Sequence, residues 1–287
     1  MLRALITVAL VLSSGAPPAQ VKVKPAAAKN SDRAVVPDLQ PSSTYDAEAE
    51  QQLLDLANQA RARAGAPPLH LDEGLTAAAR THADVMARRE QLSHQFEGEP
   101  SLPHRLAASS ALHLDHAGEN VAVDLTPERA HERLMHSPPH RENLLDASYN
   151  VAGVGVVHNG ARLYVVQDFG HSVPAYSSDQ TEGTIVDSVT RMRLAAGLPQ
   201  LAHKPDSALH EAVCSMAQED RLATRAMHDL SQRYYVVSYA NMHPEILPQA
   251  ASRLVGDRHV KNLSVGACYA RTATYPTGVY WVGLLFY

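Results

Sequence analysis

The chain has 287 residues, enough for about two domains, or for one domain with a leader and a linker. Its 45% hydrophobic residues, 15 glycines and 18 prolines are typical of a globular protein and exclude a collagen-like, coiled-coil or wholly disordered chain. The net charge is −5, and residues 46–175 carry 18 acidic against 10 basic residues, which excludes the electrostatic footprint of a nucleic-acid-binding protein.

The first 20 residues have the order of a secretory signal peptide. Arg3 precedes an apolar run from Ala4 to Leu12, and small residues follow. The apolar run is too short for a stable transmembrane anchor. We therefore expect a cleaved leader over residues 1–20 and a secreted or periplasmic protein, with a buried N-terminal strand as the alternative. Residues 21–45 are rich in Pro, Ala, Lys and Ser and predict a flexible linker.

An internal repeat begins after the linker. The segments Leu54–Leu69 and Val186–Leu201 share six of sixteen residues when Gly65 is placed over Gly197. Each segment predicts a helix that ends at the glycine, because a proline two residues later prevents the helix from resuming.

The similarity continues along both copies. A second amphipathic helix is predicted by apolar spacing from Leu75 to Met86 and from Leu209 to Asp220. His94 and His228 follow these helices at the same offset. Each copy then ends on a Val-Gly strand and an aromatic strand, which predict antiparallel pairs. The chain is therefore predicted to be a tandem duplication, with copies at residues 46–175 and 176–287.

The two copies differ where chemistry would be located. The first copy contains Gly118-Glu119-Asn120 and then Ser-Pro-Pro-His-Arg-Glu-Asn-Leu at residues 137–144. The second copy has neither motif and instead shows a plain helical pattern over Glu245–Leu254. We therefore expect the second copy to be a structural or partner-binding lobe.

Residues 50–170 contain a series of ordered motifs, which are the opening LLDLANQARARAGAPPL, Leu-Ser-His at 92–94, Gly-Glu-Asn at 118–120, the motif at 137–144, and Gln-Asp-Phe-Gly at 167–170. These motifs resemble those of a bacterial member of the CAP superfamily, named for cysteine-rich secretory proteins, antigen 5 and plant pathogenesis-related proteins. The resemblance implies an α+β fold, an α/β/α sandwich with an open cleft. The second copy would be a degenerate version of the same fold.

The resemblance also implies a cleft formed by His94, Glu119 and His140. Two imidazoles and one carboxylate are sufficient ligands for Zn²⁺ or another divalent cation, with one position left open. Glu132 is only a weak match to a further acidic residue of the family. The family's usual Trp and Gly near the last motif are Leu134 and Pro139 here.

The alternative is that these residues satisfy local backbone groups. Glu119 could accept hydrogen bonds within the turn at Gly118, and His140 could cap the helix after Pro139. Asn120 and Asn143 are equally suited to orienting cleft groups and to local turns.

The other histidines of the first copy have weaker assignments. His82 lies on an apolar helical stripe and is expected to be a buried, satisfied histidine rather than a ligand. The remaining four near the motifs are expected to be mostly solvated: His113, His116, His131 and His136.

Three functions remain open. The first is an exported protein that binds a small molecule, lipid, protein or ion in the cleft, without strong catalysis. The second is a metal-assisted hydrolase of peptide or ester bonds, and the third is an interaction module that docks a partner through the second lobe. The first copy has no cysteine and no Gly-x-Ser-x-Gly motif, so a nucleophilic hydrolase is unsupported.

The chain has two cysteines, Cys214 and Cys268, and both lie in the second copy. Export makes a disulfide between them chemically permissible. Two buried free thiols are the alternative.

Overall fold

Helices and strands form two successive groups along the chain, and the structure, a computed structural model, describes residues 5–7 and 45–287. We call the group from Ala47 to Val173 the first lobe and the group from Ser178 onward the second lobe. Leu5–Thr7 forms strand β1. The rest of the predicted leader and the linker up to residue 44 lie outside the described residues.

The first lobe begins with a helix that ends as the sequence predicts. Gly65 follows this helix in the left-handed conformation, at φ 76°, which glycine adopts without strain. The elements in chain order are α1 (Ala47–Ala64), β2 (His70–Leu71), α2 (Glu73–Arg89), α3 (Leu102–Ser109), β3 (His113–Asp124), α4 (Pro127–His136), α5 (Pro138–Leu145), β4 (Val151–Asn159) and β5 (Arg162–Val173).

The second lobe has the same order of elements, except that one helix rather than two lies between its first long strand and the next. Its elements are α6 (Ser178–Ala195), β6 (Ala202–His203), α7 (Ser207–Gln218), α8 (Arg225–Ser231), β7 (Tyr235–Asn241), α9 (Gln249–Val255), β8 (Asn262–Ala270) and β9 (Val279–Phe286). None of the helices in residues 45–287 is both long and apolar enough to cross a membrane.

The two sheets have the same strand order. In the first lobe the order is β2-β4-β5-β3, and in the second it is β6-β8-β9-β7, with β1 added beside β7. The outer short strand is parallel to its neighbour in both sheets, and the longer strands are antiparallel. This matching topology is compatible with the predicted tandem duplication.

Helices cover both faces of the first sheet. Because successive strand residues point to opposite faces, Val156 of β4 packs in a cluster with α1, whereas Val157 packs with α2. Gly153 and Gly155 let the backbone of α2 lie against the sheet, since a Cβ atom at either position would fall within 2.3 Å of that backbone. The second sheet is covered by α7 and α8 on one face and by α6 and α9 on the other. The α/β/α sandwich is therefore confirmed.

A buried arginine occupies the same place in both lobes. Arg61 of α1 donates from Nε to the carbonyl of Pro67, and Arg193 of α6 donates to the carbonyl of Pro199. Each guanidinium continues to backbone carbonyls that lie before β4 or β8 in the chain. The two segments that are similar in sequence therefore also share a buried contact from arginine to backbone carbonyls.

Three predictions for the second lobe were wrong. Helix α7 ends at Gln218, and Asp220 has a positive φ of 50°, so it is not on the helical stripe. His228 lies on α8, whereas His94 lies in the loop between α2 and α3, so the two histidines are not structural equivalents. The helical pattern over Glu245–Leu254 forms a helix only from Gln249, because Pro248 disfavours helical geometry at the residue before it.

The two cysteines form a disulfide. Cys214 of α7 and Cys268 of β8 are joined, with their Cα atoms 5.4 Å apart. The bond attaches a covering helix of the second lobe to its sheet, and the alternative of two free thiols is wrong.

Candidate functional site

An open cleft of about 450 Å³ lies beside strand β3 in the first lobe. The loop after α2 and helix α5 form its walls, and both segments carry motifs found in the sequence. The cleft is lined by His94, His116, Glu119, Asn120, Pro139, His140, Glu142, Asn143, Asp146 and Tyr149. All five residues predicted for the cleft are among them.

His94 and Glu119 form a pair at the floor of the cleft. The Nδ1 atom of His94 lies 2.9 Å from Oε1 of Glu119. The imidazole is 56% exposed, whereas the carboxylate is 4% exposed. Donation from Nδ1 fixes the ring orientation and leaves Nε2 as the nitrogen available to a ligand.

A buried network holds Glu119 from behind. Arg105 of α3 donates to Oε2 of Glu119, so both carboxylate oxygens have partners. His82 bonds through both ring nitrogens, to Glu99 at 2.6 Å and to the carbonyl of Ser93 at 2.9 Å. His82 is fully buried, as predicted for a satisfied core histidine. The network also fixes Ser93, and therefore the loop that carries His94.

Asp168 is the buried acid that the sequence analysis missed. It lies opposite Glu119 on the neighbouring strand β5 and has no exposed surface. Its carboxyl oxygens have no hydrogen-bond donor among the described residues. Burial raises the pKa of Asp168 well above its usual range, the charge of Glu119 raises it further, and Arg105 acts in the opposite direction. This environment favours the neutral carboxyl form of Asp168.

In the sequence, Asp168 belongs to the Gln-Asp-Phe-Gly motif and is the acidic residue inside the largely apolar strand Leu163–Phe169. That pattern shows a buried polar group, but it does not identify which residue of another strand lies opposite.

Two asparagines connect β3 to helix α5. Asn120 donates to the backbone carbonyl of His140 at 3.0 Å, and Asn143 donates to Oδ1 of Asn120 at 3.1 Å. Tyr149 then donates its hydroxyl to Asn143 at 3.0 Å. Gly118 is required at this point, because a Cβ atom there would lie 2.4 Å from both Asn143 and Tyr149. The side-chain amides of Asn120 and Asn143 therefore bond between two walls of the cleft and not within local turns.

His140 lies in the first turn of α5, and Ser137 is the N-cap residue of that helix. The imidazole of His140 is therefore not a helix cap. Its ring centroid is 6.1 Å from that of His94. Burial lowers the pKa of His140, and the neighbouring His94 lowers it further, which favours the neutral imidazole.

The predicted metal ligands do not form a coordination shell as they stand. No group of three or more His, Cys, Asp or Glu side chains within residues 45–287 is arranged to hold a metal ion. Each oxygen of Glu119 already accepts one hydrogen bond, from His94 or Arg105, which leaves one lone pair per oxygen for a cation. Glu132 is not among the cleft residues. Binding of Zn²⁺ or another divalent cation remains a prediction.

Four further histidines were expected to be mostly solvated; this was wrong for His131, which is buried, whereas His113 and His116 are half-buried. His116 lines the cleft and stacks on Tyr149, with ring centroids 4.9 Å apart. His131 of α4 is buried, which lowers its pKa. His113 stacks on Tyr269 of the second lobe. Only His136 is exposed as expected.

The fold and this cleft define the class of protein: an α/β/α domain in which two histidines, His94 and His140, lie over the buried carboxylate of Glu119. Residues 54–169 match the profile of the Cysteine-rich secretory protein family, CAP. The chain therefore contains a CAP domain of the bacterial type.

Several known proteins are similar to this chain. It is 33% identical over 113 residues to uncharacterized protein YkwD of Bacillus subtilis (strain 168). The aligned segment covers 39% of this chain and 44% of YkwD. An extracellular protein of Bacillus anthracis containing an SCP domain is 28% identical, with a TM-score of 0.40, over 44% of this chain and 41% of that one. Na-ASP-1 is 8% identical, with a TM-score of 0.46, over 84% of this chain and 89% of Na-ASP-1. The chain thus spans less than half the length of YkwD.

Proposed function

We propose that this protein is an exported CAP-domain protein that binds a small polar molecule or ion between His94 and His140. The observation that carries the proposal is the pair of imidazoles over an open cleft, with His94 fixed from behind by the buried carboxylate of Glu119. A rigid, preorganised site loses little entropy when it closes around a ligand. Catalysis is not required for this function.

Two observations support export and duplication. The disulfide between Cys214 and Cys268 suits an oxidising compartment, which agrees with the leader predicted at residues 1–20. The shared strand order and the equivalent arginines, Arg61 and Arg193, support an origin of the second lobe by duplication. The second lobe has lost the cleft motifs and is proposed to act as a structural lobe.

The first test uses Zn²⁺ as the probe, because imidazole is among its preferred ligands. Histidine ordinarily titrates near pH 6.5 and must be neutral to coordinate a metal. We expect zinc affinity to fall by about tenfold to a hundredfold between pH 7.5 and pH 5.5. The lowered pKa of His140 limits its own part in this loss, since the ring stays neutral to lower pH. Calorimetric titration measures both affinities, and equal values would contradict the site.

The second test removes each cleft imidazole. His94→Ala and His140→Ala are expected to weaken zinc binding by at least about tenfold at pH 7.5 while changing the free energy of unfolding by less than about 1 kcal/mol, because solvent-facing side chains leave no cavity. His228→Ala is the matched control, since His228 is exposed in the second lobe and should affect neither property. A loss above about 3 kcal/mol for either cleft variant would assign these histidines a structural role instead.

A second candidate function is hydrolysis of ester or peptide bonds. One observation favours it: a buried carboxylate bonded to His94 Nδ1 prepares the other ring nitrogen to take a proton from water. Hydrolysis of p-nitrophenyl acetate by the purified chain tests this, with His94→Gln as the variant. A rate that is the same for both proteins would exclude His94 as the base.

A further inference from the structure

Contacts from the second lobe converge on residues 107–115 of the first lobe, where helix α3 leads into strand β3. Arg271, which follows strand β8, donates from Nη1 to the carbonyl of Ala107 at 2.7 Å. Its Nη2 atom donates to the carbonyl of Leu112 at 3.0 Å. One side chain of the second lobe therefore bonds both ends of the connection between α3 and β3.

Two neighbouring contacts hold the first residues of β3. The ring of Tyr269 stacks on that of His113, with centroids 3.8 Å apart. Nε2 of His243 lies 2.6 Å from Oδ2 of Asp115, where the register of β3 against β5 shifts. The segment that Arg271 binds is therefore part of the interface between the two lobes.

The guanidinium of Arg271 is chemically suited to this position. The last carbonyls of an α-helix have no partner within the helix and carry a partial negative charge, and Ala107 lies in the last turn of α3. A guanidinium presents its N–H donors in a fixed fork, so it can bond two carbonyls at once and hold the distance between them. Arg271 thus ties the end of α3 to Leu112, the residue before β3.

The two elements that Arg271 joins are the two that hold Glu119. Helix α3 carries Arg105, which is buried and donates to Oε2 of Glu119. Strand β3 carries Glu119 itself, and Oε1 of this carboxylate lies 2.9 Å from Nδ1 of His94. A shift of α3 relative to β3 would move the guanidinium of Arg105 away from the carboxylate, and Glu119 would then no longer hold the imidazole in one orientation.

We propose that Arg271 is a positioning residue for the cleft, which fixes α3 against β3 from the second lobe and so keeps Glu119 in place to orient His94. Arg271 is not among the residues that line the cleft, so it acts through Arg105 and Glu119. The inference rests on the proposed binding function only in treating His94 as a group that meets a ligand. It gives the second lobe a part in that function.

The nitrogen-15 NMR spectrum of the full chain tests the proposal, because it distinguishes the two neutral tautomers of an imidazole. At pH 8 an ordinary histidine is mostly neutral, and the bond to Glu119 favours the Nδ1–H form of His94. Arg271→Ala is expected to lower the ratio of the Nδ1–H form to the Nε2–H form about threefold to tenfold, a usual size for coupling through a few packed residues. The signal of His94 is identified by its loss in His94→Ala.

Two further variants separate positioning from the mere presence of a charge. Arg271→Lys keeps the charge and a donor but loses the fork, so it should restore about half of the lost ratio on a logarithmic scale. Arg258→Ala is the matched control, because Arg258 is exposed and precedes strand β8, whereas Arg271 follows it. This control should leave the ratio unchanged.

Hydrogen exchange separates positioning from general stability, because protection factors report local opening. Arg271→Ala should lower the protection of residues 105–115 and leave that of residues 152–157 in strand β4 unchanged. An equal loss of protection in both segments would overturn the proposal, and so would a tautomer ratio equal to that of the wild type.

The zinc titration of the wild type decides the proposed function separately. If the wild type bound no zinc while Arg271→Ala shifted the tautomer of His94, zinc binding would be wrong and the positioning role of Arg271 would stand. If the wild type bound zinc and Arg271→Ala left the tautomer unchanged, the positioning role would be wrong and the binding function would stand.

Discussion

Replacing Arg61 with methionine is expected to lower the free energy of unfolding by roughly 3–5 kcal/mol. The guanidinium is fully buried and donates to four backbone carbonyls, those of Pro67, Leu144, Asp146 and Tyr149, at 2.7–2.9 Å. Methionine fills a similar volume but has no donor, so these carbonyls would lose their partner. Urea unfolding followed by circular dichroism measures the change.

The chain offers two matched comparisons for Arg61. Arg63 lies two residues further along α1 and is exposed, so Arg63→Met should change stability by less than about 0.5 kcal/mol. Arg193 makes three such bonds, and its Nη2 atom lacks a partner among the described residues. Arg193→Met should therefore cost less than Arg61→Met. Equal effects of all three substitutions would show that the buried bonds contribute little.

Arg61 also affects the cleft. One of its four acceptors, the carbonyl of Leu144, lies at the end of α5, and two others lie between α5 and β4 at Asp146 and Tyr149, which form part of the cleft wall. Arg61→Lys cannot replace the fork of N–H donors, because a lysine ammonium is a compact charge on a flexible stem. We expect Arg61→Lys to restore less than half of the stability lost in Arg61→Met.

Removing the disulfide is expected to have an effect of similar size. Cys214 and Cys268 are 54 residues apart, and a crosslink over that separation stabilises by about 4 kcal/mol in the chain-entropy treatment. The double variant Cys214→Ser with Cys268→Ser should therefore unfold at a much lower denaturant concentration than the oxidised wild type. The loss arises mainly in the unfolded chain, which the crosslink constrains.

Reduction of the wild type provides the control for this variant. The chain has two cysteines, so dithiothreitol has a single disulfide to reduce. Reduced wild type and the double variant should have the same stability. If the double variant were as stable as the oxidised wild type, the crosslink would have no stabilising role.

The sequence was sufficient for features that depend on neighbouring residues. The end of α1 at Gly65 follows from local backbone chemistry, because glycine takes the left-handed conformation and Pro67 prevents a further turn. The same pattern at Gly197 exposed the repeat. The cleft residues His94, Glu119 and His140 were found because each belongs to a short motif, and the structure brings all three to one cleft.

Local patterns failed where a distant residue or a changed connection decides the outcome. His228 occupies the same offset as His94, but α7 is shorter than α2, and His228 lies on helix α8 whereas His94 lies in a loop. The predicted solvation of His131 failed because α4 packs against α1, which buries that face. The spacing of residues within one helix does not show which other helix will pack against it.

By itself the sequence therefore determined the fold class, and it predicted a repeat and a set of cleft residues, since helix ends, apolar periodicity and motifs are local properties of the chain. Only the tertiary structure decided how these residues interact. The raised pKa of Asp168 depends on the register of β5 against β3, which places Asp168 beside Glu119. Asp115 and His243 are 128 residues apart in the chain, and their contact depends on a β-bulge at Asp115 and on the docking of the two lobes. Register and docking follow from the packing of whole surfaces, which no single segment specifies.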